Sequence, residues 1–258
     1  MKNFAKIISL VIVAAMCIAL ASCGAAPKTV DDIKEAGQLV IATSPDFPPF
    51  ESIENNKVVG IEIDILNLLA EELGVELVIE KMDFDSVLPG IQAGKYDIGV
   101  SGITITDERK ENADFTNPYF MAAQVIVVKE GSSITCKADL EGKKISVQTG
   151  TTAEDYCTKN GYEVSAFQAN NDACSALTTD KVDAWVVDNE VALAMTAETE
   201  GLVVLEEYMT EEPYGFALLK GSDELVEELN KYIDAWVEDG TIEAIFEKYG
   251  TVYVAPTK

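Results

Sequence analysis

Short apolar runs of strand length alternate with amphipathic helical stretches twice along this chain, and that alternation restricts the fold more than any other feature of the sequence. In the first cycle Leu39-Val40-Ile41-Ala42, the run from Val75 to Ile79 and the run from Tyr96 to Val100 read as strands. Between them lies a helical stripe of Ile65, Leu66, Leu68, Leu69 and Leu73, closed by Gly74 where a helix end favours glycine. A second helix is expected over 87–93, with Met82-Asp83-Phe84-Asp85 as the loop before it. A short helix over 30–36 precedes the first strand, and Asn55-Asn56 turns a hairpin. In the second cycle Lys144 to Val147, Glu163 to Phe167 and Ala184 to Asp188 read as strands, with helices over 153–159, 172–178 and 190–197. One strand over 122–129 opens this cycle. A last strand over 214–219 follows a boundary at Pro213, and helices over 222–236 and 242–249 end the chain. Strands alternating with helices form largely parallel sheets covered on both faces. A chain of 258 residues can bury one large core or two modest ones. The expectation is an α/β fold of two lobes.

Ligands of such sheets bind beyond the C-terminal ends of the strands. Two loops of the first cycle open on that edge: Thr43 to Phe47, in a stretch stiffened by three prolines, and Ser101-Gly102-Ile103-Thr104-Ile105-Thr106-Asp107-Glu108-Arg109. Arg109 is the only arginine among nineteen basic residues. Its planar fork grips a carboxylate through two parallel hydrogen bonds, which an ammonium cannot do. It is either such a clamp or a surface charge beside Asp107 and Glu108. Phe47 and Phe50 are core plugs or a face for a ligand. In the second cycle the hydroxyl-rich loop Gln148-Thr149-Gly150-Thr151-Thr152 precedes a helix, whose unpaired N–H groups and positive end suit an anion. Asp188, at a strand end, is a cap for the next helix or a site residue.

The sequence contains no histidine, so histidine-dependent triads are excluded and metal catalysis lacks its commonest ligand. No metal and no cofactor are expected. Lys2 and Lys6, the apolar run from Ile7 to Leu20, and Ala21-Ser22 before Cys23 read as an export signal. That run is shorter than the roughly twenty residues a permanent membrane span requires. Leu20-Ala21-Ser22-Cys23-Gly24 resembles a lipoprotein cleavage motif, with lipid on the Cys23 sulfur. Residues 1–22 would then be removed as signal peptide, taking the formal charge from −26 to −28. So acidic a surface repels nucleic acid and anionic lipid, and its scattered acids read as a solvated face. Residues 23–37 form a tether and the start of the fold. Of the remaining cysteines, Cys136, Cys157 and Cys174, at least one is unpaired within the chain. With strand order 2-1-3 in the second lobe, the helices carrying Cys157 and Cys174 lie on opposite faces of its sheet and cannot be bridged.

Ala42-Thr43 with Phe47-Pro48-Pro49-Phe50, the run Ser101 to Arg109, Gly150-Thr151-Thr152 and Val187-Asp188-Asn189 together resemble the extracellular solute-binding proteins of bacterial amino-acid ABC importers, family 3, the polar amino-acid group. The likeness covers about Gln38 to Tyr249. It implies a type II periplasmic-binding-protein fold, with lobe 1 over 38–122 and 212–258, lobe 2 over 123–211, and two hinge crossovers. By position it implies that Arg109 clamps an α-carboxylate with backbone N–H groups at Thr104 and Thr152, that Thr151 also touches the ligand, and that Asp188 takes the α-ammonium beside Ser101 and Gly102. Phe47 and Phe84 would stack on the ligand side chain, and Ser44, Gln148 and Val187 would read its tip. Ser44 stands where several binders of cationic amino acids carry aspartate, so substrate identity stays open. The implied partners are a free amino acid and the transmembrane subunits of an importer. The implied protein is a monomer outside the cytoplasm, attached to the cell membrane through its lipid alone, and not an enzyme. Two alternatives stand beside this. One is an enzyme on the same fold, of the cyclohexadienyl dehydratase kind, which needs a placed acid or base. The other is a sensory module, expected to continue into a transmembrane or signalling segment that the residues up to Lys258 do not contain.

Overall fold

The computed structural model describes residues 25–256; the expected export segment and Cys23 lie outside them. In chain order the strands are β1 (Gln38–Thr43), β2 (Ser52–Glu54), β3 (Lys57–Val59), β4 (Glu76–Lys81), β5 (Ile98–Gly99), β6 (Ala113–Phe115), β7 (Phe120–Ala122), β8 (Gln124–Lys129), β9 (Lys144–Gln148), β10 (Glu163–Phe167), β11 (Ala184–Asp188), β12 (Leu202–Val204), β13 (Glu212–Tyr214) and β14 (Ala217–Leu219). They form two five-stranded sheets, ordered β4-β1-β5-β14-β6 and β10-β9-β11-β8-β12. In each, three parallel strands in the order 2-1-3 continue into two antiparallel neighbours. The antiparallel ribbon of β7 and β13 carries the chain between them in both directions.

Period-two alternation covers both faces of the second sheet, as strands with helices on either side require. Val125 and Val127 of β8 and Trp185 and Val187 of β11 enter one apolar cluster, while Ile126, Val128, Ala184 and Val186 enter another. Cys174 belongs to the first cluster and Cys157 to the second, so the two thiols sit on opposite sides of the sheet. Cys136, Cys157 and Cys174 are all free. The Asn55-Asn56 hairpin forms with both residues at positive φ, 49° and 63°, the primed turn that matches strand twist.

Several boundaries differ from the sequence expectation. The single strand over 122–129 is two, β7 and β8, which belong to different sheets. The strand over 214–219 is also two: Tyr214 ends the crossover ribbon and Ala217 begins β14. Pro213 lies inside β13 and does not mark a boundary. It faces Met121, whose N–H goes instead to Val254, so no ladder bond is lost to the missing proline N–H. The helix expected over 87–93 spans Phe84–Gln92, which puts Phe84 in its first turn and not in a loop. The strands β6 and β12, three residues each, are too short to show a period.

Candidate ligand-binding cleft

Arg109 lies in the one-turn helix Asp107–Lys110, capped by the Thr106 hydroxyl, which accepts from the Arg109 N–H at 3.1 Å. Its guanidinium turns away from Asp107 and Glu108 and forms no ion pair among the described residues. Nη1 donates to the Thr104 carbonyl at 2.9 Å and Nη2 to the Gly150 carbonyl, across the cleft, at 3.1 Å. The Phe84 ring centroid lies 5.7 Å from Cζ, an aromatic platform under a cation. Burial lowers the Arg109 pKa, while Glu212, Asp155 and Asp188 pull it back up, and the group stays charged. The surface-charge reading of Arg109 is not what the fold builds.

Thr104 pairs with Tyr214 at a position where the neighbouring residues make the bonds: Ile105 donates to Pro213 at 2.8 Å and Gly215 to Ile103 at 3.1 Å. The alternation of an antiparallel pair then points the Thr104 N–H away from Tyr214, on the side where its carbonyl meets Arg109. Thr151 caps helix Thr152–Lys159 through its hydroxyl, which accepts from the Glu154 N–H at 3.2 Å. The first N–H groups of that helix have no intrahelical acceptor.

Asp188 ends β11 and stands before helix Asn189–Ala197, yet its side chain makes no capping bond. Its Oδ1 accepts from Gln124 Nε2 at 3.0 Å, and the Tyr214 hydroxyl approaches without completing a hydrogen bond of good geometry. Burial, with the like charge of Glu212, holds the Asp188 carboxyl well above the usual carboxylate range. The capping role weighed for Asp188 is thus absent, and a buried carboxylate without a cation remains.

Gly102 adopts φ +54°, and a Cβ there would lie 2.4 Å from Cε1 of Phe47, so no larger residue fits that corner. The Gly102 N–H donates to Glu62 Oε2 at 2.9 Å and the Ser101 hydroxyl to Glu51 Oε1 at 2.8 Å. Burial and the charge of Glu62 push the Glu51 carboxyl well up. Tyr119 donates its hydroxyl to Glu62, tying this corner to the start of the crossover ribbon.

One narrow cavity between the lobes brings together Arg109, Asp188, Phe47, Phe84, Ser101, Gly102, Thr104, Gln148, Thr151 and Thr152. Two expected contacts, Ser44 and Val187, do not line it: the Ser44 hydroxyl donates to Asp46 at 2.9 Å and its N–H to Ser101 at 3.2 Å. Val187 is buried in the core of the second lobe. No group of three His, Cys, Asp or Glu side chains among the described residues is placed to hold a metal ion.

The family model for bacterial extracellular solute-binding proteins, family 3, matches residues 39–252. The chain belongs to that family. Membership places it outside the cytoplasm. Among its relatives, a probable histidine-binding protein of Campylobacter jejuni is 35% identical over 217 residues, covering 82% of this chain and 84% of the relative. The L-cystine-binding protein TcyJ of Escherichia coli K12 is 31% identical over 226 residues, 85% of each. Among solved structures, a mutant of ArgBP from T. maritima matches with TM-score 0.82 and 38% identity, over 86% of this chain and 98% of that one. An ancestral amino acid-binding protein, a precursor of cyclohexadienyl dehydratase, matches with TM-score 0.80 and 35% identity, over 85% and 98%. The fold is accordingly the two-lobed one of periplasmic binding proteins, with a cleft between lobes that the chain crosses twice.

Two residues that hold the cleft's lining from behind escaped the sequence reading. Gln124 holds Asp188 and also donates to the Thr152 hydroxyl at 3.2 Å. Its signal was a lone amide opening an otherwise apolar strand, Gln124-Val125-Ile126-Val127-Val128. Asp46 accepts from Gln148 at 3.2 Å and from the Asn170 N–H at 2.7 Å, both in the second lobe. It is the single acid in the proline-rich loop, and nothing nearby in the chain marks its partners.

Proposed function

We propose that this protein captures a free polar amino acid in its interlobe cleft and delivers it to an ABC-type importer. The observation that carries this reading is that one small cavity is lined by both Arg109 and Asp188, a half-buried cation and a buried anion from different lobes. An amino-acid zwitterion supplies the counter-charge each of them lacks, which offsets the cost of burying them apart from water. In this reading Arg109 and the N–H groups of Thr104, Thr151 and Thr152 hold the α-carboxylate. Asp188 takes the α-ammonium, with Ser101 and Gly102 at its side. Phe47 and Phe84 sandwich the side chain and Gln148 meets its tip, while Ser44 acts from behind through Asp46. Because the two charges sit on different lobes, 38–122 with 212–258 and 123–211, the ligand favours the closed arrangement.

The relatives named for histidine and cystine support binding over turnover, while the precursor of cyclohexadienyl dehydratase keeps an enzyme on this fold as the second reading. The cleft carboxylate, Asp188, is held by the Gln124 amide at 3.0 Å, an arrangement that suits an ion receptor. Residues 1–22 serve as signal peptide, and lipid on Cys23 anchors a monomer to the cell membrane. Cys23→Ser is expected to release soluble, binding-competent protein, read by membrane fractionation.

A thermal-shift screen of the twenty amino acids and cystine, on protein unfolded and refolded to remove bound ligand, tests the main reading. At least one is expected to raise the melting temperature and to bind by calorimetry. Silence from all of them sinks it, and mass spectrometry showing conversion of the best ligand supports the enzyme instead.

A further inference from the structure

We propose that Asp46 is the latch of this cleft: a carboxylate of the first lobe that caps a helix of the second and so adds to the closed state on its own account. Its Oδ2 accepts from the Asn170 N–H at 2.7 Å and from Gln148 Nε2 at 3.2 Å, and its Oδ1 accepts from the Ser44 hydroxyl at 2.9 Å. Asn170 opens the helix Asn170–Thr178, and the preceding residue, Ala169, has no side chain that could cap it. Asn170 is almost fully buried, and its amide donates to Gln148 Oε1 at 2.7 Å, which aligns Gln148 for Asp46.

Among the helix N-termini that the second lobe presents to the cleft, two differ in how they are completed. Helix Thr152–Lys159 carries its own cap, Thr151, whether the lobes are open or shut. Helix Asn170–Thr178 receives its acceptor from a residue 124 positions away, on the other lobe. A helix start leaves unpaired N–H groups and a partial positive charge, which a carboxylate satisfies on both counts. That contact exists only when the lobes meet, so it shifts the equilibrium toward closure with no ligand atom involved. The inference rests on the two-lobed closing motion of the reading above, and not on an amino acid being the ligand.

The test reads lobe closure in ligand-free protein by single-molecule energy transfer between dyes at the exposed positions Glu72 and Glu163, as Glu72→Cys and Glu163→Cys in a Cys136→Ser background. Wild-type protein is expected to show a measurable closed population. Asp46→Ala should lower the closed-to-open ratio about tenfold. The decisive partner is Asn170→Pro. Proline suits the first helical position and lacks only the N–H the latch uses, and Ala169, at φ −116° and ψ 145°, already has the extended backbone a following proline requires. Asn170→Ala corrects for the lost amide. Asp46→Ala and Asn170→Pro remove one contact between them, so the double variant should open no further than either alone. A ratio within about twofold of wild type in Asp46→Ala, independent losses in the double variant, or a wild type with no closed population overturns the latch. Failure of the amino-acid reading leaves these distances untouched and shows in the ligand screen instead.

Discussion

The two sheets repeat one plan, three parallel strands followed by two more that each pair antiparallel with the strand before, but the charged groups they bring to the cleft are held in different ways. Asp188, from the second lobe, is fixed within that lobe by Gln124, its cross-strand neighbour. Arg109, from the first, spends its fork on carbonyls of both lobes, Thr104 at 2.9 Å and Gly150 at 3.1 Å. The anionic half of the cleft is thus set before the lobes meet, and the cationic half is finished by their meeting. A ligand that docked first against Asp188 would find its receptor already oriented, and Arg109 would report on closure.

The largest effect expected from breaking this contrast is at Asp188. Asp188→Asn keeps the bond from Gln124 but removes the charge, and the loss of one partner of a buried charged pair costs about 2–5 kcal/mol of affinity. Without ligand the sign reverses. A carboxyl whose pKa is raised in the fold holds its proton more tightly folded than unfolded. The wild type therefore loses stability as pH climbs from the ordinary carboxylate range through the raised value, and asparagine does not. Ligand-free Asp188→Asn should melt higher than wild type at pH 8, with the gap narrowing at pH 5. A lower melt at pH 8 would show that the carboxylate is not a stored cost.

A smaller loss is expected at Arg109. Lysine keeps the charge but not the fork, so Arg109→Lys should weaken calorimetric affinity for the best ligand near the lower end of the same range, roughly thirtyfold. Affinity within about threefold of wild type would mean that Arg109 does not hold the carboxylate.

The smallest effect sharpens the comparison between helix starts. Thr151→Ala removes a cap present in every state and should lower ligand-free stability by about 1 kcal/mol. Asp46→Ala removes one present only in the closed state and should leave the ligand-free melt nearly unchanged. Equal destabilisation by the two, read by chemical denaturation, would mean that Asp46 is part of the folded framework of one lobe.

The sequence by itself determined the alternating architecture, because strand and helix periods are local and survive in the order of residues. It also marked Arg109 and Asp188, since a sole guanidinium after one strand and an acid at the end of another are visible without any fold. The Asn55-Asn56 turn is local too, and it was legible. Only the tertiary structure decided that the runs 122–129 and 214–219 each divide at the crossover ribbon, because the break is imposed by pairing between Phe120–Ala122 and Glu212–Tyr214 and not by any residue in either run. Only it decided that Phe84 begins a helix beneath Arg109, that Ser44 turns from the ligand toward Asp46, and that Gln124 and Asp46 complete the cleft. The roles of Gln124 and Asp46 are set by partners 64 and 124 positions away, and hydrogen bonds over such separations leave no period and no motif in the chain.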